Sequence, residues 1–467
     1  MAKRIDTARI QGRVAGLLAE YGIPSAVVGV LHDGEMSDFA VGIRDVSTGE
    51  PATSETIYQC GSMSKTWTAL AFMQFVDEGK VDLDAPVRTY LPGFKVADPQ
   101  VSASVTPRHL LYHTSGIEED YGYPGEDEDV YERMVAGIAD APQVHPLGYT
   151  HGYSAALGYA LLARVMEVID GKRWDAIMQD RLFTPLGLSS TSSWYEQMDQ
   201  ERAATGHVLR SLEEGPIVSP LAYLPRAFGP GGNVTSTIRE VLTMASIFLN
   251  DGKAADGKRM ISAASLRAMM ESRVAIPDPY MFGPFWALGL IVCNWHGQTV
   301  YASDGSTIGQ NARLRILPEA NLALALLTNG GPRESFYKHV FNAILAELGA
   351  VTLPELPQPD PTLRLDLSRY EGIYQRPGTC YEVEAIDGRL WLSLTIDPMH
   401  AQFLGKPERL TYELLPISET HFLMPAHGPL EDPQTVAIYD FKAGAAHYLH
   451  TNSRVYPKVG AVHSVAP

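Results

Sequence analysis

The stretch Cys-Gly-Ser-Met-Ser-Lys-Thr-Trp at 60–67 puts a lysine three residues after one serine and directly after another. On a helix, positions i and i+3 share a face, so Ser62 and Lys65 can meet while Ser64 points elsewhere. A serine hydroxyl is a weak nucleophile until a base takes its proton. Lysine can be that base only where burial or neighbouring positive charge lowers its pKa. A serine at a helix N-terminus also has free main-chain N–H groups beside it, suited to a developing oxyanion. The chemistry would be acyl transfer through Ser62. The same short pattern occurs at Ser335 and Lys338, where it has no supporting context and reads as helix surface.

Context for the first pair lies elsewhere in the chain. In 146–171, Tyr153 stands just before an apolar helical run, and a tyrosine near a lysine can relay protons. In 300–329, a strand pattern, a glycine-containing kink and a second strand pattern supply main-chain donors along an edge.

The elements that must hold these groups can be read from periodicity. Ile5, Ile10, Val14, Leu17 and Leu18 recur at helical spacing. A hairpin is expected around His32-Asp33-Gly34, and a helix over 62–77 ending before Gly79. Residues 100–200 read as helices broken by Pro and Gly, and the acidic run 117–132 as a solvated loop. Strand patterns return over 282–329, with His296 in a turn, and a closing helix follows. A proline cluster then marks a linker, and short alternating runs (TCYEVEAI, RLWLSLTI, LTYELLPI and others) suggest a small antiparallel barrel or sandwich. The expected fold class is α/β. Helices pack on an antiparallel sheet, with an all-helical subdomain, and a small antiparallel β-barrel follows. The expected domains are 1–350 and 365–467, joined by a linker at 351–364.

At 467 residues the chain is long enough to bury a large core. Its net charge of -17 argues against nucleic acid and against anionic membrane surfaces. No apolar run reaches the ~20 residues of a membrane span. The first residues carry scattered charges and no apolar signal region, and three distant cysteines form no framework, so a cytoplasmic protein is expected. No HExxH and no Cys/His cluster suggests a metal, and no cofactor is expected. Gly229-Pro-Gly-Gly-Asn233 is glycine-rich, but no Lys-Ser/Thr follows it as a phosphate cradle requires. His113, His151 and His296 read as structural or surface histidines, with His151 the one modest alternative base, and Cys60 as a small packed residue.

Several phrases in order resemble the serine β-lactamase and penicillin-binding-protein superfamily, in its class C β-lactamase, DD-peptidase and esterase branch. They are GSMSKTWTALAFMQFVDEGKVDLDAPVRTYLP, TPRHLLYHTSGI, LFTPLGLSST, GPGGNVTSTIREV and LLTNGG, and the resemblance spans most of 15–345. The tail is similar to the lipocalin-like β domain found in many relatives. The resemblance implies that Ser62 is the acylated nucleophile, Lys65 its base and Tyr153 a second proton carrier. The choice of base between Lys65 and Tyr153 stays open, because such a pair titrates as a unit. The oxyanion hole would be the main-chain N–H groups of Ser62 and Ser306. Two departures stand out. Tyr153-Ser154-Ala155 lacks the asparagine of the usual Tyr-x-Asn. Ser303-Asp304-Gly305 replaces Lys-Thr-Gly or His-x-Gly, removing a cation and adding the charge of Asp304. Efficient β-lactamase activity is therefore not expected. Ala155, Ser303, Asp304 and Gly305 are candidate substrate-binding positions. Arg454 in the tail is either a surface arginine or the cation that replaces the lost one.

Three functions follow. The first is hydrolysis of an ester or amide of a small-molecule or peptide-like acyl substrate. The second is passage of the acyl group from Ser62 to an amine or alcohol acceptor, as in penicillin-binding-protein-type thioesterases and transacylases. The third is a non-catalytic ligand-binding descendant, against which the joint presence of Ser62, Lys65 and Tyr153 argues.

Overall fold

Strands β1 (Ser25–His32) and β2 (Glu35–Gly42) form the expected hairpin. Asp33 and Gly34 both take positive φ, at 51° and 80°, as a two-residue turn matched to strand twist requires. The structure is a computed structural model that describes residues 5–119, 125–331, 334–398, 408–428 and 430–462. Helix α1 (Thr7–Tyr21) precedes the hairpin, with Asp6 accepting from the Arg9 N–H as its N-cap. Helix α2 (Ser64–Asp77) is buried on nearly every side, from Ser64 through Met73. Its all-round apolar sequence suits a central helix and no surface position.

The middle of the chain is helical: short helices at Pro99–Ser104, Pro107–Leu111 and Val130–Gly137, then the long α3 (Leu157–Asp170). Helix α4 (Ile238–Leu249) leads back to the sheet. The remaining sheet strands are β3 (Arg273–Ala275), β4 (Phe285–Ala287), β5 (Ile291–Trp295), β6 (Gln298–Ser306), β7 (Asn311–Leu317) and β8 (Leu322–Thr328). They form one antiparallel sheet in the order β2-β1-β8-β7-β6-β5-β4-β3. The first strand pairs with the last, Ala26 opposite Thr328, so the sheet closes only when the distant ends of this region meet. Helix α5 (Glu334–Leu348) packs beside α1 on one face, while α4 packs on the other, where Ile238 and Leu242 leave no room for a side chain at Gly29.

Residues 350–360 adopt neither helix nor strand, yet they are anchored at both ends: Leu353 N–H to Asn342 Oδ1 and Asp360 N–H to the Pro416 carbonyl, both at 2.8 Å. Then β9 (Gly372–Arg376), β10 (Thr379–Ile386), β11 (Arg389–Ile396), β12 (Arg409–Pro416), β13 (His421–Met424), β14 (Gln434–Lys442), β15 (Ala445–Thr451) and β16 (Arg454–Gly460) close into an antiparallel barrel, β16 pairing with β9. Its interior is filled by Tyr370, Tyr374, Tyr381, Leu392, Phe422, Ile438 and their neighbours, a hydrophobic cluster separate from that of the sheet and helices. The alternating runs in the sequence locate the middle strands. The closing strand β16 escapes that reading because Pro457 interrupts it; it sits opposite Tyr448 in the pairing with β15.

Candidate functional site

Ser62 does not begin α2 but sits in a 3-10 turn, Gly61–Met63, just ahead of it. Gly61 has φ 52°, and a Cβ there would lie 2.5 Å from the Ser306 nitrogen, so only glycine lets this turn press against β6. Gly305 is under the same constraint, since its Cβ would lie 1.8 Å from the Cys60 carbonyl oxygen and 2.8 Å from the Ser62 nitrogen. Pairing between β5 and β6 ends at Ile291 and Ala302, which leaves 303–306 without a strand partner on that side. The turn carrying Ser62 is packed against β6.

The two serines differ in what they touch. Ser64 is fully buried, donating its hydroxyl to the Gly61 carbonyl at 2.6 Å and accepting from Val234 N–H at 3.0 Å, so its donor and an acceptor site are used structurally. Ser62 is partly exposed and is hydrogen-bonded to the Tyr153 hydroxyl. Lys65 is buried, and its Nζ donates to the Ala155 carbonyl at 2.7 Å and to the Gly231 carbonyl at 2.8 Å. It lies 4.8 Å from the centre of the Tyr153 ring and 5.5 Å from that of Tyr159. Burial pushes its pKa down to about 7; Glu119 opposes the shift and Arg454 adds to it. Burial raises the Tyr153 phenol above its ordinary value, against the hydrogen bond with Ser62.

Three groups around this cluster lie outside what the sequence motifs single out. The glycine-rich turn at 229–233 is the lysine's cradle: a Cβ on Gly231 would meet the Ala155 oxygen at 2.5 Å and Lys65 Nζ at 3.1 Å. Two acids of the expected solvated loop are buried instead. Glu118 forms a two-pronged ion pair with Arg376 of the barrel. Glu119 accepts from Ser154 Oγ at 2.9 Å and Ala156 N–H at 3.2 Å and pairs with Arg454 at 3.0 Å. The third group is the turn between β15 and β16. Asn452 and Ser453 both have positive φ there, and the Ser453 carbonyl accepts the main-chain N–H of Tyr153 at 2.8 Å. Composition alone makes the acids of 117–132 look solvated; the signal against that reading is Ile117 directly before them and the basic residues of a second domain that could meet them.

The other sequence candidates are placed as follows. Arg454 reaches the cluster through Glu119. Ser303 is buried, its hydroxyl within 2.6 Å of Thr66 Oγ1, which itself donates to the Gly289 carbonyl. Asp304 is held by Arg315, with Arg313 at 3.9 Å, so its charge is compensated on the side facing Tyr337 of α5. Ser306 is exposed at the strand end, its hydroxyl bonded to Asn311 Oδ1. His113 is buried, accepts from Ser154 N–H at 3.0 Å and packs on the Tyr153 ring at 4.6 Å, so it positions the tyrosine loop. His151 is buried with neither ring nitrogen bonded among the described residues. His296 occupies the turn between β5 and β6. Ser335 bonds to Asp432 of the barrel, which also accepts the Glu334 N–H at 2.7 Å and thus caps α5. Among the described residues no three His, Cys, Asp or Glu side chains are grouped to hold a metal ion. No described helix is long and apolar enough to cross a membrane.

Known proteins share the family and the fold. Penicillin-binding protein 4 of Amycolatopsis lactamdurans is 38% identical over 377 residues, covering 80% of this chain and 98% of that protein. Unguisins hydrolase ungD of Aspergillus violaceofuscus is 21% identical over 434 residues, covering 80% and 76%. Among solved structures, SurE superposes with a TM-score of 0.75 at 26% identity, covering 97% of this chain and 99% of SurE, and SurE with D-Leu does so with 0.74 at 27%. A profile described as Beta-lactamase matches residues 10–347, which span the sheet, the helices and the serine–lysine–tyrosine cluster, and the chain belongs to that family.

Proposed function

We propose that the protein is a serine hydrolase that forms an acyl-enzyme on Ser62 from an ester or amide. The carrying observation is the hydrogen-bonding of Lys65. A neutral amine has two N–H donors and one lone pair. Both donors are taken, by the Ala155 and Gly231 carbonyls, and a pKa of about 7 keeps much of the amine neutral near pH 7. The lone pair is then free to accept the Ser62 proton. Ser62 Oγ attacks the carbonyl carbon as its proton passes to Lys65. The oxyanion forms against the N–H groups of Ser62 and Ser306. The Tyr153 phenol, kept protonated by its raised pKa, gives its proton to the leaving amine or alcohol and is reprotonated from Lys65. Water then attacks the acyl carbon and releases the acid and free Ser62. The substrate class is a small-molecule or peptide-like acyl compound. Structural likeness to SurE, whose structure is also known with D-Leu, makes D-amino-acid acyl groups the first to try.

A second reading, transfer of the acyl group to an amine, rests on one observation. The position where relatives carry a lysine or histidine holds Ser303, whose hydroxyl is buried against Thr66, so β6 offers no ionisable group there to activate water.

Intact-protein and peptide mass spectrometry after treatment with a fluorophosphonate tests the first reading, with Ser62→Ala as control. A mass increment on Ser62 that is absent in the variant supports it; no increment, or the same one in the variant, overturns it. Decay of an acyl adduct in buffer against added amine then separates hydrolysis from transfer.

A further inference from the structure

Among the described residues, Arg454 of the barrel and Glu119 of the helical region meet at the site and are bound to each other. The side chain of Glu119 is 4% exposed. One carboxylate oxygen, Oε2, is fixed by Ser154 Oγ and Ala156 N–H, the residues flanking Ala155. The other, Oε1, meets Arg454. Ala155 is where the usual amide side chain is lost, and its carbonyl holds Lys65. A carboxylate anchored by two donors cannot swing away when a ligand arrives, so a substrate anion must compete for Arg454 with a partner already in place.

We propose that Glu119 is a positioning and specificity-determining residue: it holds the loop of Tyr153 and Ala155 beneath Lys65 and restrains Arg454, so that the protein discriminates only weakly in favour of substrates bearing a carboxylate. The proposal rests on the acyl-enzyme reading above. It also assigns signs to charge effects on Lys65. The groups facing Lys65 are the Tyr153 and Tyr159 rings, His113, Glu119 and Arg454. Burial keeps the histidine neutral and the phenols protonated near pH 7, so Glu119 and Arg454 are the charges that act there, in opposite directions.

The test compares a 3-carboxyphenyl ester with the 3-carbamoylphenyl ester of the same acyl group. The wild type, Glu119→Gln, Arg454→Gln and the double variant are assayed across pH. Glutamine keeps an acceptor for Ser154 and Ala156 but removes the charge. In E119Q the carboxylate-to-amide ratio of kcat/KM is expected to rise about five-fold or more, and the rising limb on the neutral ester to move to lower pH. In R454Q the limb moves to higher pH, and in the double variant the ratio falls to about one. An unchanged or lower ratio in E119Q, or limbs moving together, overturns the proposal. If E119Q does not fold, the direction of the R454Q limb decides, because an unmoved or lowered limb overturns it alone. Fluorophosphonate labelling of Ser62 in the wild type keeps this separate from the underlying reading: loss of labelling there sinks the acyl-enzyme mechanism, whereas labelling with unmoved selectivity sinks only the role of Glu119.

Discussion

The main-chain N–H of Tyr153 is hydrogen-bonded to the carbonyl of Ser453, the residue before the barrel's closing strand. The barrel therefore takes part in placing the phenol that contacts Ser62. Ser453 has φ 63°, which proline cannot adopt and glycine adopts freely. Ser453→Pro is expected to lower kcat on an activated ester by roughly 10²-fold, the cost of an ångström-scale misplacement. Ser453→Gly is expected to match the wild type. Equal kcat in the two variants would remove the barrel from the positioning of Tyr153.

Lys65 sets the pH dependence. Its pKa in the fold is lowered to about 7, and the neutral amine is the base, so activity needs the proton off. On a neutral ester, log kcat/KM is expected to climb with pH up to about 7 and level off above it. A profile flat from mildly acid to mildly alkaline pH would show that Lys65 is not the base. Lys65→Gln is expected to lower kcat/KM at least ~10²-fold on the plateau above pH 7.

Glu118 and Arg376 join the helical region to the barrel through an ion pair whose side chains are 2% and 7% exposed. Removing one member strands a buried charge. Glu118→Leu or Arg376→Met alone is expected to cost about 3–5 kcal/mol, while the two together are expected to be near neutral. Urea denaturation of the single and double variants measures this, and simple additivity of the single costs would count against a pair.

Acid should destabilise the barrel's contact with the helical region. His450 is buried with neither ring nitrogen bonded among the described residues, and its pKa is pushed down to about 3 by burial; His151, 6.2 Å away between ring centres, is also lowered. The unfolded chain takes up these protons near the ordinary histidine pKa of ~6.5, and the folded one does not. The contribution of His450 is thus full above about 6.5 and falls as pH drops toward 3, by up to ~1.4 kcal/mol per pH unit, and His151 acts in the same direction. His450→Phe is expected to flatten the decline in melting temperature between pH 7 and 5. An identical decline in the variant would clear His450 of the effect.

What the sequence shows of this site is what local spacing can carry. Ser62 and Lys65 are one helical turn apart, and the His32-Asp33-Gly34 and His296-Gly297 turns announce hairpins by residue type. The middle barrel strands show as alternation, whereas the first is short and the last is broken by Pro457. Three things depend on partners that only the fold brings close and leave no local trace. Glu118 and Glu119 look like solvated acids until Arg376 and Arg454 fold onto them. Gly231 looks like a failed phosphate loop, because its use is a carbonyl offered to Lys65. Asp304 looks like a charge added to the site until Arg315, on the neighbouring strand, neutralises it.

The closed barrel with its tyrosine-packed interior has one more consequence. Its strands close on one another and its core is packed around Tyr370, Tyr374 and Tyr381, so the side chains at its turns lie outside what holds it together. The turn at 451–454 can therefore be rewritten almost independently of the scaffold beneath it. In engineering terms, this turn is an exchangeable cartridge: as long as residue 453 keeps its positive φ and its carbonyl stays on Tyr153, a new side chain at the tip delivers a different charge or shape to the serine centre.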